Sequence, residues 1–153
     1  DIMREKKIAV INGPNINILG KREPDVYGTV TWDKIEEKLK GMGQNLGIEF
    51  IFYQSNHEGN IVDFIQEQMD VIDGIVINPA AFTKAGYSIL DALTAIELPY
   101  VEVHLSNIFA RGGWHAESIF TPKAVGLICG FQEDGYVLGV QELFSFLNKN
   151  TCE

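Results

Sequence analysis

A chain of 153 residues is long enough to fold as one domain around its own apolar core. Its 46% apolar and 22% charged content is that of a globular protein and argues against intrinsic disorder. The formal net charge of −9 argues against nucleic acid or an anionic membrane surface as a partner, while leaving room for a local basic pocket. No apolar run reaches the roughly 18 residues of a membrane span. The charged start Asp1-Ile2-Met3-Arg4-Glu5-Lys6-Lys7 lacks the apolar stretch of a signal peptide, so the expected location is the cytoplasm. Residues 1–7 are expected to form a charged N-terminal segment, and residues 148–153 a mobile tail of the single domain 1–153. The two cysteines give neither a disulfide framework nor metal-ligand spacing. Cys129 sits in the apolar run Val125–Cys129, and Cys152 is next to last.

The first strand is expected at Ile8–Ile11. A long connection from Asn12 to about Thr31 leads to a helix whose apolar face is Ile35, Leu39, Met42 and Leu46. Thr31 or Asp33 can cap that helix, and Gly41 and Gly43 weaken its end. A second strand at Ile48–Tyr53 precedes a helix carrying Ile61, Phe64, Ile65 and Met69 on one face. A third, Gly74–Ile77, precedes a helix with Ile89, Leu90, Leu93 and Ile96, which Pro99 brings to an end. After the fourth strand, Tyr100–Val103, a second long connection runs from His104 to about Lys123. A fifth strand at Val125–Cys129 and a helix from about Tyr136 to Leu147 close the chain. Continuous Val/Ile runs mark strands buried on both faces, as in parallel sheets. The expected fold is therefore α/β, a flavodoxin-like doubly wound sheet of five parallel strands in the order 2-1-3-4-5.

Connections as long as these two are usually functional or disordered, and both leave the carboxyl end of a strand, where open α/β sheets bind ligands. That edge collects Asn12 to Asn15, Arg22, Glu23 and Tyr27 after strand one and Gln54, Ser55, Asn56 and His57 after strand two. Asn78 and Pro79 follow strand three, and strand four ends in Glu102, His104, Ser106 and Asn107. Many uncharged hydrogen-bonding groups with one Arg, one Tyr and one His suit a small oxygen-rich ligand. No metal-ligand cluster is spaced for binding, no Walker loop or Gly-x-Gly-x-x-Gly follows strand one, and Gly-x-Ser-x-Gly is absent. The missing phosphate loop disfavours a flavodoxin-like nucleotide-binding protein, and acid–base chemistry remains. His104 exchanges protons near neutral pH, and Glu102, two residues earlier on the same strand face, can orient its ring. Tyr27 is a poor base unless a cation such as Arg22, five residues away, favours its phenolate. Spacing alone favours an ordinary strand-end histidine, a solvated Arg and a packed Tyr.

Larger blocks carry more information. Asn12-Gly13-Pro14-Asn15, Leu19-Gly20 and Arg22-Glu23-Pro24-Asp25-Val26-Tyr27-Gly28 resemble the first signature of type II 3-dehydroquinate dehydratases. Gln54-Ser55-Asn56-His57-Glu58-Gly59, Asn78-Pro79 with Thr83, and Glu102-Val103-His104-Leu105-Ser106-Asn107 are similar to its further blocks, in order, and the likeness extends to Gly135-Tyr136. The resemblance implies loss of water from 3-dehydroquinate to give 3-dehydroshikimate in the shikimate pathway, with no metal or organic cofactor. It implies Tyr27 as base, Arg22 as its activating cation, Asn15 on an enolate-stabilising water, and His104, oriented by Glu102, as acid. The substrate carboxylate would rest on Asn78, the backbone of Leu105 and Ser106, and the Ser106 hydroxyl, under a lid carrying Arg22 and Tyr27. It further implies a homo-oligomer, a dodecamer built from trimers, in which Asp91 reaches a neighbouring subunit's site.

The chain departs from that pattern in four places. Lys84 stands where the family usually has histidine and His115 where it usually has arginine, both positions that contact ring hydroxyls of the substrate. Leu90 replaces a usual arginine beside Asp91, and Ala80-Ala81 replaces a usual glycine-containing pair. Lys84 keeps a donor and His115 can donate in either tautomer, but an arginine's permanent fork of charge is gone. A dehydratase of a related cyclic hydroxy acid, or a non-catalytic binding descendant, therefore stands beside the first reading.

Overall fold

A computed structural model of the protein describes residues 5–150, so Cys152 and the last part of the expected tail lie outside the described residues. The chain forms β1 (Lys6–Asn12), α1 (Pro24–Tyr27), α2 (Trp32–Leu46), β2 (Ile48–Gln54), α3 (Glu58–Gln68), β3 (Gly74–Asn78), α4 (Tyr87–Ile96), β4 (Tyr100–His104), α5 (Ile108–Arg111), β5 (Gly126–Cys129) and α6 (Asp134–Asn150). Two terminal expectations change. Lys6 and Lys7 belong to β1, with Lys6 buried, rather than to a charged leading segment. Residues 148–150 continue α6 rather than starting a mobile tail.

The sheet has five strands in the order β2-β1-β3-β4-β5, all pairs parallel, which is the flavodoxin-like order expected from the sequence. The Val/Ile runs explain it: β3 and β4 are buried throughout, while the edge strands β2 and β5 are only partly covered. Alternate side chains feed two apolar layers. Ile8, Val10, Val76 and Val103 pack with Leu39 of α2 and Leu143 of α6 on one face. Ala9, Ile11, Ile75 and Ile77 pack with Ile65 of α3 and Leu93 of α4 on the other. Each large side chain so buried contributes about 1.5–3 kcal/mol before chain entropy is charged against it. Leu46 and Met69, expected on helix faces toward the core, are instead 41% and 45% exposed at or beyond the helix ends.

Helix α2 begins where the Thr31 hydroxyl accepts the Lys34 amide, and ends where Gly47 takes a left-handed φ of 75°. Its Gly43 does not break it, because a Cβ there would lie 2.6 Å from the Ile48 carbonyl oxygen; the glycine lets the helix approach β2. Gly13 serves the site in the same way. Asn12 pairs with Asn78 where β1 and β3 end, and a Cβ on Gly13 would lie 2.2 Å from the Pro79 carbonyl oxygen. The direction in which strands are added reverses beside β1, so the cleft of an open sheet falls at this point. Both long connections are ordered around short turns. The first contains a 3-10 turn at Ile16–Ile18 and α1, and the second contains α5 and 3-10 turns at Gly113–Ala116 and Thr121–Lys123.

Candidate active site

A cavity of about 350 Å³ opens at the carboxyl edge of the sheet. Its lining includes Asn15, Arg22 and Tyr27 from the first connection, Asn78 and Lys84 after β3, and His104, Leu105, Ser106 and His115 after β4. Nine of the expected site residues thus meet in one place, although up to 100 positions separate them in sequence. Glu102 lies behind this surface, fully buried, and Asp91 is exposed on α4 away from the cavity of its own chain.

His104 is 6% exposed, and its Nε2 lies 2.6 Å from Glu102 Oε2, which leaves Nδ1 as the nitrogen for the cavity. The carboxylate also accepts the hydroxyls of Ser118 and Thr121. Burial opposes its charge, but the hydrogen bonds from His104, Thr121 and Ser118, together with the charge on His104, hold Glu102 below the ordinary carboxylate range. Burial, and after it the same carboxylate, push the nearby Tyr100 hydroxyl up to about 12. An imidazole fixed in one orientation by a buried, hydrogen-bonded anion is equipped to give and take a proton.

Tyr27 is set differently from the sequence expectation. Arg22 lies over its ring, with Cζ 4.6 Å from the centroid, and gives its own Nη2 to Glu23. The cation on the phenol oxygen is Arg111, whose Nη1 donates to it at 3.2 Å. Sequence reasoning missed Arg111, which is 84 residues from Tyr27 on a four-residue helix. It also missed Glu117, whose carboxylate pairs with Lys84 Nζ at 3.0 Å on the cavity wall, and Trp114, which stacks on His115 with ring centroids 3.7 Å apart. Positions 84 and 115 therefore carry an ion pair and a stacked imidazole.

The floor of the cavity presents backbone amides and a side-chain amide. The backbone carbonyls of His104 and Ser106 accept the Gly130 amide, and that of Leu105 accepts the Gln132 amide. Among the described residues the amides of Leu105 and Ser106 donate to no backbone carbonyl, so they are free for a ligand. Asn78 accepts the Ala80 amide at Oδ1 and donates through Nδ2 to the Tyr136 hydroxyl at 2.9 Å. The Tyr136 hydroxyl in turn donates to Asn12 Oδ1 at 2.7 Å, and burial raises its pKa, so the phenol stays neutral. These directions fix the Asn78 amide and leave its second N–H for the cavity. Ala80 sits at φ 51°, a left-handed conformation that favours glycine. The polar residues after β2 have a supporting task. Gln54 donates to the Gly13 carbonyl, and Asn56 Oδ1 accepts the Asn15 amide, so they brace the loop carrying Asn15.

Fold and cavity together define a flavodoxin-like α/β protein with paired acid–base side chains at the switch point of its sheet. The family model "Dehydroquinase class II" matches residues 6–144. A 3-dehydroquinate dehydratase of Geotalea daltonii is 48% identical over 143 residues, covering 94% of this chain and 99% of that protein. A protein of Aspergillus clavatus named catabolic 3-dehydroquinase is 47% identical over 138 residues, covering 90% and 92%. The crystal structure of type II dehydroquinase from Butyrivibrio crossotus superposes with a TM-score of 0.87 at 40% identity, covering 94% of this chain and 98% of that one. The chain belongs to the type II dehydroquinase family.

Proposed function

We propose that the protein is a hydro-lyase that converts 3-dehydroquinate to 3-dehydroshikimate through an enolate, the dehydration step of the shikimate pathway. The observation that carries this reading is a phenol under two guanidinium groups sharing one cavity with an imidazole clamped by a buried carboxylate. Tyr27, with its proton removed, takes a proton α to the ketone, and the C–H electron pair becomes an enolate. Arg22 and Arg111 counter the negative charge at this end of the site. Asn15 holds a water that donates to the enolate oxygen. Collapse of the enolate forms the C=C bond and expels the β-hydroxyl, which leaves as water with the proton of His104. Substrate becomes enone plus water, so proton transfers balance the reaction and no cofactor enters. The substrate carboxylate rests on Asn78, the amides of Leu105 and Ser106 and the Ser106 hydroxyl.

Removing Arg111 tests the electrostatic part. Arg111→Met is expected to lower kcat by roughly 10²-fold while changing KM by only a few fold, because the charge it meets develops in the reaction. Steady-state kinetics over a substrate series decides this. Lys84 and His115 read ring hydroxyls in the same account, with Glu117 holding Lys84 in place. Lys84→His combined with His115→Arg is expected to raise kcat/KM for 3-dehydroquinate about tenfold, since a permanent fork replaces a stacked imidazole. A fall instead means that the pair is tuned to another cyclic hydroxy acid.

The cytoplasm and a dodecamer built from trimers belong to the same proposal. In that assembly Asp91, which is exposed on α4 and does not line the cavity of its own chain, reaches a neighbouring subunit's site. Among the described residues no helix is long and apolar enough to cross a membrane. Expression in a bacterium deleted for its own dehydroquinase tests the biosynthetic role. Growth without aromatic amino acids is expected, and failure to grow despite folded protein contradicts it.

A further inference from the structure

The turn between β5 and α6 places three consecutive residues in the left-handed region: Gly130 at φ 91°, Phe131 at 66° and Gln132 at 51°. Side chains avoid this region, and such conformations persist where the surroundings impose them. Gln132 does two things from there. Its amide donates to the Leu105 carbonyl, and its side-chain Nε2 donates to the carbonyl of Val26, 106 residues earlier, at 3.1 Å. The second contact leaves Oε1 buried without a partner, lying against Gly28. Flipping the amide would set oxygen against the Val26 oxygen, so the arrangement is directional.

Helix α1 has reason to need an outside anchor. It is four residues long, none of them is buried, and Glu23 before it sits at φ 34°. An isolated turn of this length does not hold itself in water. Among the described residues its side-chain hydrogen bonds from outside the first connection come from Arg111 to Tyr27 and from Gln132 to Val26. We infer that Gln132 is a positioning residue: it tethers α1 over the cavity and so sets where the Tyr27 hydroxyl points. The inference rests on the reading of Tyr27 as the base for its catalytic consequence, but not for the tether itself. A strained backbone and an orphaned acceptor accompany the side-chain bond to the segment that carries Tyr27.

Two variants separate this from a role in stability. Gln132→Met keeps side-chain length and loses the donor; Gln132→Gly loses the donor and relieves the backbone. Both are expected to lower kcat on 3-dehydroquinate about tenfold with KM within about threefold, because orientation of the base is lost while the carboxylate floor keeps its backbone bond. Gln132→Gly is nonetheless expected to melt higher than Gln132→Met, so rate and stability do not move together. Trypsin cleavage after Lys21 or Arg22, read by mass spectrometry on the folded protein, is expected to speed up about fivefold in both. Cleavage at the wild-type rate, a kcat within twofold of wild type, or a loss confined to KM would overturn the inference. Faster cleavage in the variants of an enzyme that does not turn over dehydroquinate supports the tether and overturns the reading of Tyr27 instead.

Discussion

Tyr27→Phe is expected to lower kcat at least about 10³-fold, in the upper part of what a positioned acid or base contributes. The change deletes one oxygen and keeps the ring on which Arg22 lies. Arg111 loses the hydroxyl it meets at 3.2 Å but stays at the surface, where water replaces the bond. Substrate binding should therefore persist within about a factor of ten, since the carboxylate floor does not involve Tyr27. Isothermal titration with 3-dehydroquinate, which the variant consumes only slowly, gives the affinity, and stopped-flow absorbance gives the residual rate. A near-normal rate removes Tyr27 as the base and turns attention to the cavity's other basic groups, Lys84, His104 and His115.

Glu102→Ala is expected to be the most damaging change to stability, and it lowers the rate as well. The carboxylate is fully buried and joins His104, Ser118 and Thr121, so it ties β4 to the second long connection. Removing it leaves the buried His104 and the half-buried Ser118 and Thr121 hydroxyls without their acceptor, at a cost on the order of 3–5 kcal/mol. kcat should fall on the order of 10²-fold, because the His104 ring loses the contact that fixes its orientation and tautomer. Glu102→Gln keeps the shape and one acceptor and should fall between. The carboxylate also predicts how acid acts on the protein. Its pKa in the folded state is held below the ordinary value, so the stability it contributes is complete above the unfolded carboxylate range. That contribution is lost as pH falls through the lower folded value. Unfolding midpoints measured from neutral pH downward should show a steeper acid decline in the wild type than in Glu102→Gln. Parallel curves would mean that Glu102 is not the group responsible.

How much of this was readable beforehand follows from the range of each signal. Strand order was legible because continuous Val and Ile runs demand cover on both faces, and sequential β-α units allow few parallel topologies. The pairing of Glu102 with His104 was legible because alternation along a strand puts both on one face. Strand ends were blurred by polar residues: Lys6, Asn12, Asn78 and His104 belong to strands that apolar patterning stops short of. Arg111 was illegible because nothing in local spacing links it to Tyr27, and a basic residue on a short loop helix reads as solvated. Glu117 and Gln132 were missed for the same reason, being brought to the site by turns whose left-handed geometry no periodicity encodes. Gly43 shows the reverse error, since a residue that weakens an isolated helix here permits close packing on β2.

The central claim is that these side chains dehydrate 3-dehydroquinate by proton transfer. Its most direct test is the ultraviolet absorbance of the conjugated enone when the purified protein, with a chelator present, is given millimolar 3-dehydroquinate. The account predicts steady enone formation that Tyr27→Phe abolishes. A folded wild-type protein that forms no enone would contradict it.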